Sequence, residues 1–477
     1  MTIILGRLFQ FLIVFVSYKI ALSLFSPSEY GSLSVFFVIS SFFILLSISP
    51  FGSYLLANCI KWRREKTLIQ HIKLIFLISI FFGFLFFTLF WLIHFYVLRI
   101  DYHLMFIGLH VSGSAFIQTL ISVIGIIYSI RSAIFIANLN ALGCLAFSYI
   151  FIHLIESTIF NWIFGQVIFQ CIFAFVLYIY YFYSNKNHLS VDYIKTFFKE
   201  SYKFITITSL VSVLCWVLYQ SPKVLYSNIF DPTTFGVFMA GFIFAAYVFG
   251  ALETLVNNFA QTFFYRDFDP KSEKYIGAWS LYLFRILFCF SAIFIIITPV
   301  FDQLSIYIFT DEYLDSRKYL FLGMICEYLR VIGGCFIISG QYTQKPEINI
   351  LPLIASSFFI AISVFIMKFF LDFNLFTIVC VLPIGFILYL VLANYSTRKY
   401  KSLAYDHNVF KMSLLILITP LYLVIFTSVI HIMPSSEIRL IFDIILFLLS
   451  VSIWSYLFSR ELLGGKSIIK TLFSLVD

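Results

Sequence analysis

About fourteen apolar runs, each near the roughly 20 residues that a helix needs to cross a bilayer, divide this chain from end to end. The first six are Ile4 to Phe25, Leu33 to Asn58, Leu74 to Leu98, Leu104 to Ile127, Ala133 to Ile155 and Ile159 to Tyr183. Six more follow from Tyr202 to Tyr226, Gly236 to Phe264, Ala278 to Val300, Lys318 to Gly340, Ile348 to Leu371 and Phe376 to Asn394. Met412 to Met433 and Leu440 to Phe458 complete the set. Only 11% of the residues are charged and the mean hydropathy is +1.01. A soluble domain carries roughly 25% charged residues. The expected fold is therefore an all-α polytopic membrane protein with the bilayer as its main solvent. The net charge of +8 implies no nucleic acid, because the basic residues gather in loops between apolar runs. The first run holds Arg7 and Lys19 and no A-x-A site follows it, so it reads as a retained span and not as a cleaved signal.

Two turns set the internal organisation. Ser26-Pro27-Ser28-Glu29-Tyr30-Gly31 separates the first two runs, and Asp231-Pro232-Thr233-Thr234-Phe235-Gly236 separates the seventh from the eighth. Each places an aromatic three residues after a Pro and a Gly four after it. Pro ends a helix or starts a turn, and Gly allows the backbone to re-enter a helix at a crowded bend. Both halves carry a basic loop after the second span (Lys61 to Lys73; Arg266 to Lys274) and a very short loop after the fourth (Tyr128 to Arg131; Tyr342 to Lys345). The expected plan is two pseudo-symmetric six-helix lobes, 1–183 and 202–396, joined by a cytoplasmic linker at 184–201. Two further spans within 412–459 and a tail at 460–477 complete it. About 21 of the 31 basic residues fall on the side of the Lys61 loop, which the positive-inside rule makes cytoplasmic along with both termini. An even number of spans per half gives both lobes the same orientation, as in parallel-repeat transporters.

No catalytic constellation emerges, and no cofactor is implied. The eight Cys and eight His are dispersed, with no CxxC or HExxH. Gly464-Gly465-Lys466-Ser467 lacks the first Gly of a P-loop, since Arg460 stands there. Asp267-Phe268-Asp269 has the form of a metal-binding DxD, but it sits in a loop of about a dozen residues with no room for a nucleotide fold. Charges inside spans are the remaining pointer. Each costs about 2.5 to 3.5 kcal/mol at a helix centre and so faces a partner or a wet cavity. Basic residues predominate: Arg7, Lys19, Lys223, Arg285 and Arg330, against Glu253 and Glu327. The five cations suit a cavity for an anionic, phosphate-bearing headgroup. Snorkelling to the nearer face is the competing placement for Arg7, Lys19, Lys223 and Arg285. Glu327 and Arg330, three apart on one helix face, would also neutralise each other. Glu253 and Glu327 are the candidates for ion coupling; Glu253, mid-span with no local cation, is the better of the two, and a neutral buried Glu is its alternative. Gln10, Asn58, Gln118, Asn138, Asn140, Gln220, Asn257 and Asn258 would hydrogen-bond either sugar hydroxyls or neighbouring helices.

The segments Gly6-Arg7…Gln10, Ser26 to Gly31 and Ser49-Pro50-Phe51-Gly52, together with Trp216…Gln220-Ser221-Pro222-Lys223…Phe235-Gly236, resemble the polysaccharide flippase family. These are the Wzx-type O-antigen repeat-unit translocases of the MOP (multidrug, oligosaccharidyl-lipid, polysaccharide) superfamily. The resemblance implies a MATE-like two-lobe fold working by alternating access in the bacterial inner membrane. It implies an undecaprenyl-diphosphate-linked oligosaccharide as substrate, and a polymerase or chain-length regulator of the same pathway as partner. Pro222 stands where that family commonly has an acidic residue before the Lys. Two rival functions are a cation-coupled multidrug exporter of the same superfamily, which would call for acidic residues within the spans, and an integral-membrane polymerase, which would call for a large external loop.

Overall fold

A computed structural model describes residues 2–96, 102–183, 189–267, 273–342, 345–399, 419, 421–422, 426 and 436–461. Every long element among them is helical. The first group comprises α1 (Thr2–Leu24), α2 (Pro27–Ser47), α3 (Ser49–Arg64), α4 (Leu68–Tyr96), α5 (Ile107–Ile127), α6 (Ile130–Leu154) and α7 (Ile159–Tyr178). The second comprises α8 (Val191–Tyr219), α9 (Ser221–Ile229), α10 (Pro232–Asp267), α11 (Glu273–Ile308), α12 (Ser316–Tyr342), α13 (Ile350–Phe369), α14 (Leu375–Val379) and α15 (Val381–Lys399), with α16 (Ser436–Glu461) after them. Twelve of the described helices are long and apolar enough to cross a membrane, and they match the first twelve expected spans. Ile441–Ser452 within α16 forms a shorter apolar helix at the place of the fourteenth. The thirteenth lies almost wholly outside the described residues.

Local chemistry explains two differences from the expected spans. The second span breaks at Ile48, and α3 begins afresh with Pro50 in its first turn. The seventh breaks at Gln220, with Pro222 in the first turn of α9. A Pro inside a helix loses an N–H and clashes with the carbonyl four residues back, so each apolar run becomes two helices. The expected linker at 184–201 is also shorter. Helix α8 starts at Val191, because Ser190 caps it by accepting the Tyr193 N–H at 3.1 Å. Phe197 of that first stretch is buried against α3 and α4.

Within the first group α4 packs on α5, α6 on α7, and α1 on α6; within the second, α10 packs on α12 and α13 on α15. The groups meet mainly where α2 crosses α8 and α10. At the ends carrying Pro27 and Pro232, here called the Pro27 face, the closure is dense. Ser26 caps α2 in a capping box with Glu29, and Asp231 caps α10 by accepting the Thr234 N–H at 2.8 Å. The two turns lie against each other, since a Cβ added at Gly31 would sit 3.1 Å from Phe235 Cδ1. Tyr18 donates to the Ala240 carbonyl at 2.6 Å and Tyr313 to the Phe25 carbonyl at 2.8 Å. One apolar cluster joins this half of the first group to the second group. A second cluster, at the opposite end, packs α3, α4 and α5 with the start of α8, so the two groups also touch there through α3 and α8.

Candidate functional site

Below that closure lies a cavity of about 800 Å³, bounded by α1, α2, α5, α6, α7, the α8–α9 bend and α10. Its lining runs from Ala21 to Arg7 along α1, roughly 20 Å at 1.5 Å per residue. Polar side chains enter it at helical spacing. On α5 they are His110, Ser114, Gln118 and Ser122; on α7, Gln166 and Gln170; on α1, Arg7, Gln10 and Ser17. Steps of three, four or seven keep these groups on one face of an otherwise apolar helix. No Asp or Glu is among the described lining, which carries two cations, Arg7 and Lys223.

Arg7 is 7% exposed. Its Nη1 donates to Gln10 Oε1 one turn on, and its Nη2 has no partner among the described residues. Lys223 is 5% exposed, donates to Gln220 Oε1 at 2.7 Å and stands over the Phe242 ring at 4.9 Å from its centroid. The α8–α9 break places it there, because Pro222 restarts the helix and Gln220 and Lys223 lie within its first turn. Counted along α1 and α10 from the Pro27 face, Arg7 lies about 10 Å deeper than Lys223. His110 packs against Phe36 and Phe37, with ring centroids 5.7 and 5.6 Å away. His110 and Gln170 are buried side by side and interact with each other, although no hydrogen bond of good geometry joins His110 Nδ1 or Gln170 Oε1 to a described residue. An unsatisfied buried polar group costs roughly 1–3 kcal/mol. The Arg7 Nη2 donor is the group on this lining left open to a guest acceptor among the described residues.

The other expected site residues fall elsewhere. Lys19 does not line the cavity; its Nζ donates to the Tyr307 and Ile308 carbonyls at 2.9 and 2.7 Å. These are the open carbonyls at the C-terminus of α11, where the helix dipole favours a cation. Arg330 donates to Glu327 Oε2 at 2.6 Å and to Glu253 Oε2 at 2.9 Å. Glu253, which has no cation near it in sequence, thus finds one 77 residues away in α12. Two carboxylates share one guanidinium, so the cluster carries one net negative charge when both are ionised. Lys223 lies within electrostatic reach of it. The Arg285 side chain lies outside the described residues. Sequence reasoning passed over His110, Gln166 and Gln170; the four-residue polar stripes on α5 and α7 were the available signal.

The shared guanidinium yields a stability prediction. Arg330→Met leaves two carboxylates without their cation, a loss of roughly 3–5 kcal/mol for a buried pair. Thermal unfolding in detergent is expected to shift down by several degrees. Neutralising all three together, with Glu253→Gln and Glu327→Gln added, is expected to recover most of that shift.

Twelve described helices able to cross a membrane, packed around a polar cavity whose described lining holds no Asp or Glu, make this an all-helical polytopic fold. The solved structures it resembles include the lipid II flippase MurJ in an inward closed conformation, with a TM-score of 0.60 and 13% identity over 97% of this chain and 99% of that one. An outward-facing MATE-family multidrug resistance transporter of the MOP superfamily matches with a TM-score of 0.59 and 13% identity over 84% of this chain and 96% of that one. A MATE transporter from Vibrio cholerae matches with a TM-score of 0.61 and 11% identity, over 86% and 97%. At such identities the likeness is one of fold. No protein-family model matches the chain, and no curated protein does.

Proposed function

We propose that this protein is a flippase that carries an undecaprenyl-diphosphate-linked oligosaccharide from the cytoplasmic to the periplasmic leaflet of the bacterial inner membrane. The observation that carries this reading is the cavity's charge pattern. Two buried cations enter a lining that mixes amides, hydroxyls and one imidazole with apolar and aromatic side chains, and no carboxylate is among its described residues. Cations hold phosphate oxygens, and Arg does so bidentately. Amides and hydroxyls suit sugar rings, and the polyprenyl tail needs no site within the cavity because the bilayer solvates it. The similarity to a lipid II flippase over almost the whole chain supports the same reading.

The mechanism follows from the packing. With the Lys61 loop cytoplasmic, this conformation is shut toward the periplasm. The diphosphate meets Arg7 deeper in the cavity and Lys223 nearer the closure. Parting of the twin turns and of the Lys19 and Tyr18 contacts would open the opposite side, while the lobes rock about the cavity. The Glu253–Arg330–Glu327 cluster is the coupling element. A proton or metal cation taken up there removes the negative charge that Lys223 feels, so cation uptake and anion binding favour each other. A polymerase or chain-length regulator would receive the flipped unit.

A multidrug exporter is the second reading, favoured by the MATE neighbours. An acid-free cavity is a poor host for cationic drugs. The two are separated by expression in a strain lacking its own repeat-unit flippase. Restored surface polysaccharide with unchanged drug tolerance supports the flippase; raised tolerance to cationic drugs without polymer supports the exporter.

A further inference from the structure

We propose that the start of α8, on the side of the Lys61 loop, is a docking face for the headgroups of anionic phospholipids. Helix α8 packs on α2 and α3 of the first group and on α13 of the second, so the face lies where the two lobes adjoin. This goes beyond the flippase reading and stands without it.

Lys195, Lys199 and Lys203 recur every fourth residue, which sets them in one row along the helix. All three are exposed, and none forms an ion pair among the described residues. Other cations on this side are engaged: Lys61 pairs with Glu65, and Arg63 donates to the Ile127 carbonyl at 2.6 Å. Glu200 is the one acid between Lys195 and Lys203. It stands close enough to Tyr54 and Tyr193 to act on both, toward the packed side of α8. Asp192 lies one turn farther from the membrane than Lys195. Aromatic side chains flank the row, with Tyr202 65% exposed and Phe198 40%. Lysines beside exposed rings fit a layer of anionic headgroups over acyl chains.

The opposite side of the helix is fixed. Phe197 and Ser201 are buried, the Tyr193 hydroxyl meets the His71 ring at 2.7 Å, and His71 stacks on Trp62 with centroids 3.5 Å apart. Packing therefore holds the lysine row outward, and α8 cannot roll to hide it. The seventh apolar run begins at Tyr202, which puts Lys203 at headgroup level. Lys199 and Lys195 follow about 6 and 12 Å farther out. Attraction to an anionic surface fades within a Debye length, about 8 Å at physiological salt. The three lysines should therefore act in graded order, Lys203 most and Lys195 least.

The test titrates fluorescent phosphatidylglycerol and fluorescent phosphatidylcholine onto the purified full-length protein in neutral detergent. Wild type is expected to favour phosphatidylglycerol by about tenfold or more. Most of that preference should vanish in about 1 M salt, where the Debye length shrinks to about 3 Å. Lys203→Gln is expected to lower phosphatidylglycerol affinity about fivefold, Lys199→Gln about twofold and Lys195→Gln less than twofold. The triple Gln variant should bind the two lipids within about twofold of each other, and the triple Arg variant should keep the wild-type preference, since charge is what the headgroup reads. Removing two exposed cations of other loops on this side, with Lys66→Gln and Arg131→Gln, should leave the preference unchanged. Equal affinity of wild type for the two lipids overturns the docking face. So does a triple Gln variant that still prefers phosphatidylglycerol, or an equal loss in the Lys66, Arg131 control. Undecaprenyl diphosphate that displaces phosphatidylglycerol from wild type but does not bind the triple Gln variant would assign the face to the transported lipid and overturn it as well. Neither probe lipid is the proposed substrate, so failure here leaves the flippase reading standing, and failed transport leaves this face standing.

Discussion

Replacing Gly236 by alanine is expected to abolish transport, to below about 1% of wild type, while the protein still reaches the membrane. A Cβ on Gly236 would overlap the Pro27 carbonyl oxygen and carbon. Those are backbone atoms of the opposite turn, capped in place by the Ser26–Glu29 box, so no side chain can swing aside. Overpacking at a rigid contact destabilises the packed state. Here that state is the closure of the Pro27 face and not the fold of either lobe. Gly31→Ala is the control, because its Cβ would meet the Phe235 ring at 3.1 Å, and a ring edge yields by a few tenths of an ångström. It should keep a substantial share of activity. Access measures the closure directly. A cysteine placed at Ser34 in a cysteine-free background should resist a membrane-impermeant maleimide applied from the Pro27 side, and should react once Gly236→Ala is added. Gly236→Ala with half of normal transport would contradict the closure described here.

The second large effect is expected from the two cavity cations. Hydrogen bonds to charged groups contribute roughly 1.5–3 kcal/mol, or about 10- to 150-fold in binding. Arg7→Ala and Lys223→Ala should each lower transport by about that range, and the double variant should fall further, since the two lie about 10 Å apart in depth and contact different partners. Arg7→Lys keeps the charge but loses the planar fork, so it should fall between wild type and Arg7→Ala. Lys19→Ala tests a different function. Its ammonium holds α1 to the end of α11 and lies off the cavity lining. Its loss should alter access at the Pro27 face and leave lipid binding intact.

Much of this architecture was readable from the residues. Apolar runs of bilayer length gave the spans because no other solvent tolerates them. The paired turns point to two related halves, and the structure adds that the turns lie against each other, Gly31 beside Phe235 and Gly236 beside Pro27. The helix-breaking effect of Pro, applied to Pro50 and Pro222, predicts the two broken helices, although hydropathy alone draws each as one span. Other features depend on distances that sequence does not carry. Glu253 and Arg330 are 77 positions apart and form an ion pair, and Lys19 reaches carbonyls 288 and 289 positions on. Intramembrane charge indicates that a partner exists without naming it. The cavity wall was overlooked for another reason. Intramembrane charge is the pointer the sequence offers most openly, while much of the polar lining is neutral and repeats every fourth residue on α5 and α7.

The most direct measurement is reconstitution of the protein into liposomes with a labelled undecaprenyl-diphosphate-linked oligosaccharide, scored by access of an impermeant glycan-binding reagent to each leaflet. Wild type is expected to move the lipid across the bilayer, and the Arg7→Ala, Lys223→Ala double variant to leave it where it was added. Wild-type liposomes that never expose the glycan on the opposite leaflet, or a double variant that exposes it at the wild-type rate, would contradict a phosphate-binding cavity between the lobes.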